Sequence, residues 1–278
     1  MNYSSILVHL DRSRHTATRL ALATHLASSH DCPLIGLLGS FIPDPAWFYL
    51  MDNAADYIES DRQRRRLIGE RIRHQFQETT KDLGAGVEWR AAEHDVLSTV
   101  LRESREAGLI VAGQYDANGE EGPLATQVLE ALLLESGRPV LVVPCDGQFE
   151  ATGARVMVAW NGSREAARAL HDALPLIGGA TARILCAQTA AKEARPDATP
   201  VAHAVRVLER HGVTVEVEHG PGGSDLTIGE LLLSRAADFD ADLIVMGAYG
   251  HGRMRELVLG GVTRTLLSSM TVPVLFSH

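Results

Sequence analysis

Lysine is nearly missing from this chain. Of its 26 basic residues only Lys81 and Lys192 are lysines, and neither stands in the Gly-Lys-Ser/Thr order that a Walker-type NTPase needs. Cysteine is as sparse. Cys32, Cys145 and Cys186 are odd in number and far apart, which excludes a disulfide framework or a zinc site built on paired cysteines. None of the 12 histidines stands in a His-x3-His or His-Glu-x2-His spacing, so no resident metal is expected. Gly222-Gly223-Ser224 is not a Gly-x-Ser-x-Gly elbow, and no nucleophile–base set emerges at motif level. No apolar run reaches 18 residues, and Ile6-Leu7-Val8-His9-Leu10 is too short for a secretory signal. A cytoplasmic protein with no membrane partner is therefore expected. The formal net charge of −9 argues against nucleic acid as a partner, because an acidic surface repels phosphate.

What the chain does contain is repetition. Its 278 residues are room for two ordinary domains. Ile6-Leu7-Val8-His9-Leu10-Asp11-Arg12-Ser13-Arg14 returns 150 residues later as Val156-Met157-Val158-Ala159-Trp160-Asn161-Gly162-Ser163-Arg164. The match runs through Ala17/Ala167 and Leu20/Leu170 to Leu34-Ile35 against Ile184-Leu185. Leu109-Ile110-Val111-Ala112-Gly113 then pairs with Leu243-Ile244-Val245-Met246-Gly247, and Pro139-Val140-Leu141 with Pro273-Val274-Leu275, both at an offset of 134. The fall in offset assigns extra residues to the first half, roughly Phe41 to Arg66. Two copies of one domain result, 1–147 and 153–278, joined near Cys145 to Gly153.

Within each copy short apolar runs (6–10, 34–38, 109–113, 140–143; 155–160, 182–187, 213–217, 243–247, 273–276) alternate with helical stretches. Asn161 and Ser163 are both candidate caps for a helix from Arg164 to Leu176. Continuous apolar strands alternating with helices imply a parallel sheet covered on both faces. Each half is thus expected to be a doubly wound α/β domain with a five-stranded parallel sheet flanked by helices. Ligands of such domains bind beyond the carboxyl ends of the strands, where the strand order reverses.

The densest chemistry lies in Met246-Gly247-Ala248-Tyr249-Gly250-His251-Gly252-Arg253-Met254-Arg255, which runs on to Gly260-Gly261-Val262-Thr263. Glycines after a parallel strand let a ligand approach the backbone, and free amides at the next helix start can hold phosphate oxygens. The spacing Gly247-x2-Gly250-x9-Gly260 is neither a Walker loop nor a dinucleotide fingerprint. Together with Val158 to Ala169 and the terminal Val272-Pro273-Val274-Leu275, it resembles the universal stress protein family in its tandem form.

That resemblance implies an adenine nucleotide alpha hydrolase-like fold, with the two domains packed as a pseudo-twofold pair through their last strands. It also implies a stress-response sensor or regulator that binds ATP, with Mg²⁺ accompanying it; because the sequence shows no evident base or dedicated metal carboxylate, at most a slow ATPase is expected. By position, Gly247, Gly250, Gly260 and Gly261 would line phosphates and ribose, flanked by Met246 and Val262, with Thr263 the nearest hydroxyl. Ala159, Asn161 and Ala187 would surround adenine and ribose. His251 would contact phosphate or carry a proton, or simply face solvent, and Arg253 and Arg255 would neutralise phosphate charge or face solvent. The chain departs from the family at Gly261, where the pattern has Ser or Thr, and at Asn161, where it has Asp.

In the first half the motif is broken: Gly250 falls on Asp116, Gly260 on Thr126 and Gly261 on Gln127. Asp116, Glu120 and Glu121 would bring negative charge to the phosphates, so this copy is expected to have lost the site. Asp11 is kept, as a ligand or as a helix cap. The 41–66 insertion, with Phe41, Trp47, Phe48, Tyr49 and Met51 ahead of Asp61-Arg62-Gln63-Arg64-Arg65-Arg66, reads as a loop leading into a solvated helix, or as a lid or partner surface. The rival functional reading is accordingly a scaffold that binds no nucleotide and engages a protein through 41–66; a homodimer is a further candidate partnership, with no interface assigned to it.

Overall fold

The structure is a computed structural model that describes residues 2–39, 54–84, 86–92, 95–115, 122–186, 199–220, 226–248 and 260–278. The first half runs β1 (Ile6–Leu10), α1 (Thr16–His30), β2 (Leu34–Gly39), α2 (Ala54–Thr80), β3 (Val87–Ala92), α3 (Val96–Ser104), β4 (Leu109–Gly113), α4 (Gly122–Glu135) and β5 (Val140–Val143). The second half runs β6 (Arg155–Ala159), α5 (Arg164–Ile177), β7 (Thr181–Cys186), α6 (Val201–Glu209), β8 (Thr214–His219), α7 (Ile228–Asp238), β9 (Leu243–Gly247), α8 (Gly261–Ser269) and β10 (Val274–Ser277).

All ten strands form one sheet in the order β3-β2-β1-β4-β5-β10-β9-β6-β7-β8. Each half is the expected doubly wound five-stranded unit, parallel throughout. Every residue of β1, β2 and β5 is buried, as a sheet covered on both faces requires. The seam is antiparallel, with Val274 opposite Val142, Leu275 opposite Leu141 and Phe276 opposite Val140. This is the strand pairing the tandem resemblance implied. It leaves Leu141 and Leu275 with no exposed surface, a burial that contributes about 1.5–3 kcal/mol per side chain. The apolar core on each face of the sheet contains residues from both halves.

Strand register corrects one part of the repeat. Ile6 pairs with Leu34 and Val156 with Ala182, so Leu34 corresponds to Ala182, two residues short of the sequence match to Ile184. A two-residue slip keeps each side chain on its own face of a strand, which is why the apolar pattern did not expose it. The extra length of the first half lies between β2 and β3, residues 40–86, against 187–213 between β7 and β8. Its helical part is α2, whose Arg62, Arg64 and Arg66 are exposed; the aromatics from Phe41 to Tyr49 and Met51 lie outside the described residues.

The outer strands β3 and β8 carry charge that guards an open edge. Arg90 pairs with Glu88, Glu103 and Glu106, and Arg183 with Glu216 and Glu218. The linker is clasped by Asp242, whose carboxylate accepts from the amides of Gly153, Ala154 and Arg155 at 2.9, 2.9 and 3.1 Å. Among the described residues no helix is long and apolar enough to cross a membrane.

Candidate functional site

In the second half β6 lies beside β9, with Val156 opposite Leu243 and Val158 opposite Val245. β7 and its crossover lie on the other side of β6. This is the point where the strand order reverses, and Ala159 to Asn161 emerge there next to Met246 to Ala248. β10 is parallel to β9, so the helix joining them must run back along the sheet, and α8 begins at this same carboxyl edge.

The turn after β6 is built by local hydrogen bonds. Asn161 Oδ1 accepts from the Ser163 amide at 3.0 Å, and the Ser163 hydroxyl caps α5 by accepting from the Ala166 amide at 3.2 Å. Of the two candidate caps, Ser163 is therefore the N-cap and Asn161 shapes the turn before it. Asn161 stays exposed, Ala159 is half-buried, and Met246 is buried. Trp160 is anchored through Nε1 to the Thr199 carbonyl at 3.2 Å.

The glycines divide into two kinds. Gly247 is there for packing, since a Cβ on it would lie 2.5 Å from the Glu165 carbonyl carbon and 2.6 Å from the Ala166 nitrogen. Gly260 and Gly261 have no such reason. Among the described residues a Cβ at either meets nothing within 4 Å, and Gly260, the N-cap of α8, has φ −58°. No side chain among the described residues caps α8. Its start therefore presents the unpaired amides that every helix N-terminus carries, with the positive end of the helix dipole behind them. Val262 is half-buried there and Thr263 buried. Ala187, Gly250, His251, Arg253 and Arg255 lie outside the described residues.

Glu165 adds a buried negative charge beside this edge. Burial would raise its carboxyl, but hydrogen bonds from Arg164, its own amide and Ser163 outweigh that and hold it below its ordinary range. Among the described residues no group of three or more His, Cys, Asp or Glu is placed to hold a metal ion.

The first half's counterpart is filled. β4 corresponds to β9 at the offset of 134, so Thr126 and Gln127 stand where Gly260 and Gly261 do, yet α4 already begins at Gly122. The amides that start α8 are thus matched by amides inside α4, where helix geometry pairs them with carbonyls four residues back. Between β1 and β4, Arg19 Nη2 donates to Asp11 Oδ1 at 2.7 Å and to Thr16 Oγ1 at 2.9 Å, and Thr16 Oγ1 donates to Asp11 Oδ1 at 2.7 Å. Asp11 Oδ1 also accepts from the Ser13 amide at 3.0 Å, as Asn161 does from Ser163. Burial pushes the Asp11 carboxyl up, but Arg19 outweighs it and holds the group well below the usual carboxylate range. His9, where the second half has Ala159, is pushed down to about 4, chiefly by burial and also by Arg19, against the opposing pull of Asp11. Sequence reasoning passed over His9, Thr16 and Arg19. The available signal was that they replace Ala159, Ala166 and Ala169 in the repeat.

Comparison with known proteins agrees with this architecture. The sequence model of the universal stress protein family matches residues 154–278. A curated universal stress protein of Synechocystis sp. is 30% identical over 149 residues, which cover 53% of this chain and 49% of that relative. The chain thus spans about half the length of the curated relative it matches. Among solved structures, a universal stress protein from Archaeoglobus fulgidus DSM 4304 shares the fold with a TM-score of 0.71 at 19% identity, over 98% of this chain and 95% of that one. A functionally unknown protein from Pseudomonas aeruginosa PAO1 does so with a TM-score of 0.58 at 16% identity, over 99% and 92%. Residues 154–278 thus match the universal stress protein family model, and the chain as a whole shares its fold with a solved universal stress protein.

Proposed function

We propose that the second half binds an adenine nucleotide at the carboxyl edge between β6 and β9, and that the protein acts as a stress-response sensor or regulator with little or no hydrolysis. The observation that carries this reading is the Gly260–Gly261 pair. Neither backbone conformation nor packing among the described residues calls for glycine there, whereas close approach of a phosphate to the amides of α8 does. In this reading Gly260, Gly261 and Val262 hold phosphate oxygens through their backbone, while Asn161 and Ala159 face the nucleoside. Met246 is buried and contributes only its main chain. Mg²⁺ would enter with ATP, since the described residues offer no cluster to hold it. The first half, where an ion pair and a longer α4 occupy the corresponding places, serves as the structural partner.

Equilibrium dialysis of the intact chain against radiolabelled ATP with Mg²⁺ tests this. Saturable retention that unlabelled ATP displaces, with phosphate release near background, is the expected result. No retention at millimolar ATP would refute the reading.

A further inference from the structure

The carbonyl of Leu267 lies in the last turn of α8, where a helix leaves its final carbonyls without partners of their own. The partner comes from the other half. Gln114, the residue after β4, donates from Nε2 to the Leu267 carbonyl at 2.8 Å. The opposite end of the same amide is held at home, because Oε1 accepts from the Cys145 amide at 2.9 Å. The Gln114 backbone is fixed as well, its own amide donating to the Val143 carbonyl at 2.8 Å. The side chain is therefore oriented by its own half before it reaches across the seam.

The relation is one-way. At the offset of 134 the second half has Ala248 in place of Gln114, and a methyl group has no donor to return to α4. On another flank α8 is pressed against α7, where a Cβ on Gly229 would meet the Thr265 side chain at 2.7 Å. A helix of nine residues is too short to persist by itself in water, so its start is placed by the core packing of Leu266 and Leu267 together with these supports.

We propose that Gln114 is a positioning residue for the nucleotide site of the opposite half. By capping the carboxyl end of α8 it holds the Gly260–Thr263 end ready for phosphate, and donors ordered in advance do not charge their ordering to the binding step. The degenerate half thereby tunes the live one. The effect on affinity rests on the nucleotide reading above; the effect on α8 does not.

Two variants test it, each followed by ATP titration with Mg²⁺ and by amide hydrogen exchange of the nucleotide-free protein. Gln114→Ala removes both bonds. Gln114→Glu keeps an acceptor for the Cys145 amide but has no donor for Leu267, so it isolates the cross-seam bond and carries the test should the Ala variant misfold. Expected are roughly three- to tenfold weaker ATP binding and faster exchange confined to residues 264–269, with β1 unchanged. Where the wild type binds ATP, wild-type affinity or wild-type α8 exchange in the variants overturns the proposal. Where the wild type binds none, the nucleotide reading has failed, and exchange alone decides: faster in α8 upholds the support by Gln114, unchanged overturns it.

Discussion

Arg19 donates to Asp11 at 2.7 Å with its side chain 3% exposed, and it lies against Gly113, where a Cβ would collide with its guanidinium. The second half has Ala169 and Asn161 at these two positions, and there the backbone of α5 itself closes on Gly247. One fold thus has two solutions at its point of strand reversal: a buried ion pair, or a helix packed hard against the strand.

Removing one member of the buried pair should be costly. Arg19→Met leaves Asp11 charged in a dry site and is expected to lower stability by about 3–5 kcal/mol. Adding Asp11→Asn should recover much of the loss, because the uncompensated charge is gone. Urea denaturation of the two variants checks both, and equal stability of single and double variants would contradict the pairing.

Acid should weaken the fold in a defined window. His9 titrates near 4 when folded, against 6.5 when free, so the unfolded chain takes up a proton in this interval and the folded chain does not. The stabilisation is complete above pH 6.5 and is lost as pH falls toward 4, by at most about 3 kcal/mol. Asp11, also lowered, contributes stability that is present above its unfolded value and lost below about pH 4. His9→Ala should flatten the slope between pH 6.5 and 4 in a series of urea melts, whatever it costs in absolute stability.

Stability and binding should move in opposite directions at Gly261. Gly261→Asp places a negative charge at the start of α8, which is expected to stabilise the protein by about 0.3–1 kcal/mol through the helix dipole while repelling phosphate. Gly247→Ala should do the reverse of a silent change, because its Cβ meets α5 backbone at 2.5 Å, an overpacking that costs about 1–3 kcal/mol. Thermal melts with and without ATP separate the two effects.

The halves should unfold together, since both cores cross the seam. Leu275→Ala is expected to cost about 2–5 kcal/mol while leaving a single transition in scanning calorimetry. Two resolved transitions in the wild type would contradict a shared core.

Much of the architecture was legible because the repeat is carried by strands buried on both faces. The Pro-Val-Leu twins at 139–141 and 273–275 marked the strands that meet at the seam. β3 left no apolar run, because an edge strand places Glu88 and Arg90 in ion pairs over open surface. The start of α8 was readable from Gly260 and Gly261, whereas the plug in the first half left only one signal, His9, Thr16 and Arg19 standing where the repeat has alanines. An arginine on an amphipathic helix ordinarily faces solvent, and only the three-dimensional approach of Arg19 to Asp11 shows it buried. Gln114 was hidden for a related reason: its partner, Leu267, is 153 residues away.

The central claim is that one half of a duplicated fold keeps a nucleotide site and the other has closed it. Isothermal calorimetry of the intact chain with ATP and Mg²⁺ measures this directly by counting sites. The account predicts one per chain, abolished by Gly261→Asp and unaffected in number by Arg19→Met; two sites per chain, or none at millimolar ATP, would contradict it.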